Sequence, residues 1–120
     1  YLPLPGVLEL AQIDPRASII SAWIEVERAT VEMATKAGLP FSGPIITIAN
    51  ELHAKDYLSE FESETFRSLR QVRNGAVHLT TKDITYDEAV SMAEMCQWLA
   101  HRIRMLIQGF PPSEPNPTTT

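Results

Sequence analysis

Arg73, Asn74 and His78 are the residues of this 120-residue chain whose types and spacing could do chemistry. An imidazole titrating near neutrality can move a proton, and a fixed guanidinium can hold two phosphate oxygens at once. Together they suit a phosphodiester, with Asn74 placed to orient either the imidazole or the phosphate. Arg67 and Arg70, just upstream, could extend a small basic strip along a nucleic-acid backbone. Other chemistries find no such grouping. His53, His78 and His101 stand far apart, with one cysteine and no ligand pair at helical spacing, so no metal site is expected. A glycine-rich phosphate loop is missing, no Ser-His-Asp constellation can be argued, and no cofactor is expected.

These residues must be positioned by a helix. Leu69, Val72, Ala76 and Leu79 recur at steps of three and four, which predicts one apolar face and leaves the polar set on the more open side. Arg67, Asn74 and His78 then share one row of that helix. Arg73 and His78 are five positions apart, about 140° around the axis, so they do not face the same way. A site using both requires the long arginine to wrap, a loosened last turn, or a second molecule. Gly75 costs about 1 kcal/mol against alanine inside a helix. It is expected either to end the helix or to admit a close neighbour, and close packing of another helix is preferred.

The acidic balance of the chain, net charge −5 with pI near 5.1, excludes a broad electrostatic grip on nucleic acid and leaves room for a local basic patch. One hundred and twenty residues suit a single domain with a real core. The lone Cys96 forbids an internal disulfide and, set in an apolar helical pattern, reads as a buried, inert thiol. A reducing, cytoplasmic setting is the expectation. The opening Tyr1-Leu2-Pro3-Leu4-Pro5-Gly6 begins without Met, as a piece of a longer protein would. No apolar run approaches the roughly 20 residues of a membrane span, so this segment is expected to make no membrane contact.

Along the chain, residues 1–13 predict an extended segment with a short helical turn, residues 14–108 the bundle, and residues 109–120 a proline-rich tail. Asp14-Pro15 is a helix start, and Gly38 with Pro40 ends that helix near Ala37. Its apolar residues, from Ile19 to Ala34, cover an arc wide enough to bury two sides. Glu27 lines up with Ile20, Ile24, Val31 and Ala34, where an unpaired carboxylate is costly. It therefore predicts a nearby donor, either as an ordinary helix-helix salt bridge or as a group orienting a functional arginine. Ser42-Gly43-Pro44 opens a second helix that fades near Lys55-Asp56, a third begins near Ser59, and Thr85-Tyr86-Asp87-Glu88 is a capping box opening a fourth that runs to about Gln108. In the third helix Phe61, Thr65, Leu69, Val72, Ala76 and Leu79 are the expected buried face. Four helical patterns with short turns predict an all-α, antiparallel four-helix bundle.

The Arg73-Asn74 pair followed by His78, with four residues between arginine and histidine and placed late in the third long helix, resembles the motif of the HEPN superfamily. That resemblance covers the four-helix layout from about Asp14 to Gln108. It implies a metal-independent RNA endonuclease acting as a homodimer, with the two motifs facing each other across the interface. Arg73, Asn74 and His78 would be catalytic: His78 as acid or base, Arg73 stabilising charge at phosphorus and Asn74 orienting. Arg67 and Arg70 would bind RNA, and Glu27 would orient. Cleavage by a ribose 2′-hydroxyl needs both a base and an acid in one step, and two subunits would supply two histidines. A noncatalytic HEPN-like dimerisation or partner- or RNA-binding module of a larger protein is the alternative, and the resemblance leaves room for a protein partner or cognate inhibitor. An unrelated helical partner-binding domain is a third.

Overall fold

The computed structural model describes residues 5–40, 42–78 and 84–111, without the side chains of Pro5, Val7 and His78. Within them the chain forms helices α1 (Pro5–Ile13), α2 (Pro15–Lys36), α3 (Ile45–Ala54), α4 (Glu60–His78) and α5 (Tyr86–Gln108), with no strand. The helix boundaries follow local chemistry. Asp14 accepts from the Ala17 N–H at 3.2 Å ahead of Pro15, and Gly38 takes φ +74° just past the end of α2. Thr85 accepts from the Glu88 N–H at 3.1 Å to open α5. Ser59 and Glu62 form a capping box at α4, in which the Ser59 N–H donates to the Glu62 carboxylate at 3.4 Å and the Glu62 N–H donates to the Ser59 hydroxyl oxygen at 3.5 Å, the hydroxyl itself also donating to that carboxylate.

Three of the helices are long, and α2 is their centre. It touches α1, α3, α4 and α5, most extensively α5. Ala22, Trp23, Val26, Ala29, Met33 and Ala34 are all buried, so the wide apolar arc is indeed spent on several partners. The Trp23 ring meets Phe66 of α4 at 5.0 Å between centroids, and these are the two largest fully buried side chains. Buried polar groups are answered locally, as where the Thr30 hydroxyl donates to the Val26 carbonyl at 2.8 Å.

An antiparallel four-helix bundle was the expectation, and the observed layout differs. Phe61 at the start of α4 stacks edge-on against Trp98 in mid α5 at 5.5 Å, whereas Ser68 to Ala76 lie beside Ile84 and Glu88 at the start of α5. Therefore α4 runs against α5. Ile19 joins that same cluster, while Glu25 and Glu32 reach Arg104 near the end of α5, so α2 and α5 run the same way. At ten residues, about 15 Å, α3 is under half the length of α5 and bridges α2 to α4 at the end where α5 finishes. Tyr57, after α3, stacks on Phe110 there at 5.0 Å. The segment before Asp14 supplies the fifth helix, α1, which packs on α2 and α5 through Ala11. Of the expected tail, residues 109–120, the structure describes 109–111, and 112–120 lie outside the described residues.

The buried face of α4 also differs from the sequence pattern. Phe61 is 62% exposed and Val72 47%, while Glu62, Phe66, Leu69 and Ala76 are buried. Two apolar stripes compete on this helix, and the Trp23 ring selects the one carrying Phe66. Glu62 can sit in that stripe because Ser59 satisfies its carboxylate.

Candidate functional site

Glu62, Phe66, Leu69, Arg73 and Ala76 follow at steps of four, three, four and three, so the same choice of stripe turns Arg73 toward the core. Its side chain is half-buried. Nη1 donates to the Asn74 Oδ1 at 3.1 Å, and Nε is fully buried with no hydrogen-bond partner. No carboxylate pairs with Arg73 among the described residues. A buried, unmet guanidinium donor costs about 1–3 kcal/mol, so the fold holds this arginine at a loss. The set expected to lie together on the open side is thus divided, with Arg73 drawn inward and Asn74 on the neighbouring row.

Arg67, Gln71, Asn74 and His78 follow at steps of four, three and four and form one row of α4. Arg67 is half-buried and donates from Nη2 to the buried Ser63 hydroxyl at 2.8 Å, which ties it back along its own helix. Arg70 is half-buried too. His78 ends α4, and its side chain lies outside the described residues, as does Leu79. Gly75 does not end the helix. It lines a groove of about 450 Å³ with Ile19, Ser68, Gln71, Val72, Ala76, Ile84 and Glu88.

Glu27 does not reach Arg73. It lines a different cleft, of about 590 Å³, with Ile24, Val31, Ile45, Arg28 and Arg104. No hydrogen bond or ion pair is made to Glu27 among the described residues. Because Ile24 and Val31 are 41% and 38% exposed, its carboxylate faces an open cleft and escapes the desolvation that the apolar row implied. Arg104 instead bridges Glu32 at 3.0 Å and Glu25 at 3.4 Å, and Arg28 reaches Glu25 at 2.9 Å. Nothing in the local sequence announces that network, since its members are 72 and 79 residues apart.

Elsewhere the titratable groups are structural. His53 joins α3 to α4, with Nδ1 3.0 Å from the Leu58 carbonyl and Nε2 2.9 Å from a Glu60 oxygen. Burial pushes the Cys96 thiol from its ordinary value near 9 up to about 12, as an inert core thiol requires. Among the described residues no group of three or more His, Cys, Asp or Glu side chains could hold a metal, and no helix is long and apolar enough to cross a membrane.

Set against known proteins, the chain matches no protein-family model, no curated protein and no solved structure. What fold and site define, among the described residues, is an all-helical domain with a half-buried arginine that pairs with no carboxylate, beside a polar row that ends in a histidine.

Proposed function

We propose that this chain is a HEPN-like, metal-independent RNA endonuclease that works through a composite site between two copies of itself. The observation that carries the reading is the Arg73 guanidinium, whose Nη1 is held by Asn74 while its buried Nε has no hydrogen-bond partner among the described residues. A cation kept in that state is a reserve of binding energy. Moving onto a phosphate oxygen, it exchanges an unmet donor for a charge-assisted hydrogen bond. Arg28 and Arg104, by contrast, are paired with carboxylates.

Chemically, the ribose 2′-hydroxyl attacks phosphorus while one imidazole takes its proton and a second gives one to the departing 5′-oxygen. The products are a 2′,3′-cyclic phosphate and a 5′-hydroxyl. His78 of each copy supplies one of the two groups, Arg73 neutralises the charge gathering on phosphorus, and Asn74 holds Arg73 until substrate arrives. Arg67 and Arg70 hold the flanking backbone. Arg73 and His78 stand five positions apart, about 140° around α4, and in this reading a second copy supplies the group that one chain does not bring to the phosphate.

Incubating the chain with RNA in EDTA tests this directly. Cleavage is expected, with loss in His78→Ala and in Arg73→Ala. Absent cleavage, or unchanged cleavage in His78→Ala, removes the catalytic reading. The alternative, a noncatalytic dimerisation or partner-binding module, draws on Phe61, Val72 and Val77, which are 62%, 47% and 40% exposed along α4. It predicts self-association without cleavage.

A further inference from the structure

The groove beside the polar row of α4 has the chemistry of a nucleobase site. Its volume, about 450 Å³, lies within the roughly 300–1,000 Å³ of small-molecule sites. Its apolar lining comes from buried Ile19 and Ala76 and from the more exposed Val72 and Ile84, with Gly75 among them. Three polar residues complete the described lining: Ser68, Gln71 and Glu88.

Glu88 is the informative one. In a full capping box its carboxylate would turn back to the Thr85 N–H. Among the described residues only half of the box is made, the Glu88 N–H donating to the Thr85 hydroxyl at 3.1 Å, and Glu88 is one of the residues that line the groove. It is the one ionisable group among the described lining residues, so the groove repels phosphate and favours a neutral ring rich in donors. Two carboxylate oxygens side by side want two adjacent N–H donors. Among the RNA bases, guanine alone offers that pair on its Watson–Crick edge, at N1 and N2. Adenine and cytosine each set a ring acceptor beside their amino donor, and uracil flanks its single N–H with two carbonyls. Gln71 can donate its amide to the guanine O6.

We infer that this groove reads a guanine base of single-stranded RNA, Glu88 pairing with N1–H and N2–H. The inference rests on the endonuclease reading and deepens it by naming the base. Gln71 belongs both to the groove and to the row of Arg67, Asn74 and His78, so a nucleotide with its base in the groove carries its phosphate to that row.

Titration of the chain with nucleosides, followed by the backbone amide resonances of Gln71, Gly75 and Ala76, tests the site apart from any cleavage. Guanosine is expected to move those resonances, and inosine, lacking the N2 amine, to bind about tenfold or more weakly, as does adenosine. Glu88→Gln keeps the Thr85 cap, which uses the backbone, and is expected to lose guanosine affinity by a similar factor while narrowing the gap to adenosine. Equal affinity for guanosine and adenosine, shifts elsewhere on the chain, or an indifferent Glu88→Gln would each overturn the assignment. Guanosine bound in the groove of a chain that never cuts RNA would leave this site standing and remove only the nuclease. RNA cut with no guanosine at the groove would do the reverse.

Discussion

Replacing Arg73 by methionine is expected to stabilise the protein, which is an unusual direction for a half-buried residue. The unmet Nε donor costs about 1–3 kcal/mol, whereas the single bond from Nη1 to Asn74 contributes about 0.5–1.5 kcal/mol. Methionine keeps the length and the apolar stem beside Phe66 and Leu69 while removing both terms and the charge. The net gain is about 1 kcal/mol, or about 3–5 °C in Tm for a domain of this size. Urea unfolding read by circular dichroism, with the slope checked for constancy, measures it. Asn74→Ala is the control. It deprives Nη1 of its acceptor and should lose about 1 kcal/mol. A residue kept at a loss to the fold is kept for something else, so Arg73→Met should be more stable and inactive together. A variant that instead loses 1 kcal/mol or more would make Arg73 a structural member of the core and refute the reasoning behind the site.

Two further outcomes follow from the packing. Phe66→Leu, which opens space under the Trp23 ring, should lose about 1–2 kcal/mol and move the Trp23 fluorescence, and an unchanged unfolding midpoint would mean that this ring pair does not select the face of α4. Cys96 should resist a chromogenic thiol reagent at pH 8 until the chain is unfolded. Because its folded value is raised to about 12 while the unfolded thiol ionises from about 8.5, the unfolded chain binds fewer protons above that point, and stability should fall as pH climbs from about 9 toward 12. Rapid labelling of the native protein, or flat stability over that range, would contradict the buried thiol.

Helix starts and stops were legible in the residues themselves. Asp14-Pro15, Gly38 and Thr85 act within four residues of where they stand, and α2 and α5 begin and end within a residue or two of the expectation. The width of the apolar arc on α2 likewise foretold several partners, and Cys96 announced its own burial. Ser59-Glu60-Phe61-Glu62 carried the same capping signal as Thr85 to Glu88 and could have been read with it. Such features are local, and local chemistry survives any tertiary arrangement.

Tertiary structure decided the rest. Sequence spacing left two apolar stripes on α4 of nearly equal merit, and only the position of Trp23, some forty residues away, made Phe66 the buried one and left Phe61 and Val72 outside. That rotation moved Arg73 from the open side to a half-buried seat and left Gly75 on a groove that Glu88 also lines. The pairing of Arg104 with Glu25 and Glu32, and the separation of Glu27 from Arg73, came from how α2, α3 and α5 meet. Side-chain types and helix periods specify which groups can share a row. Which row faces water is set by the neighbour that fills the other side, and that neighbour is distant in the chain.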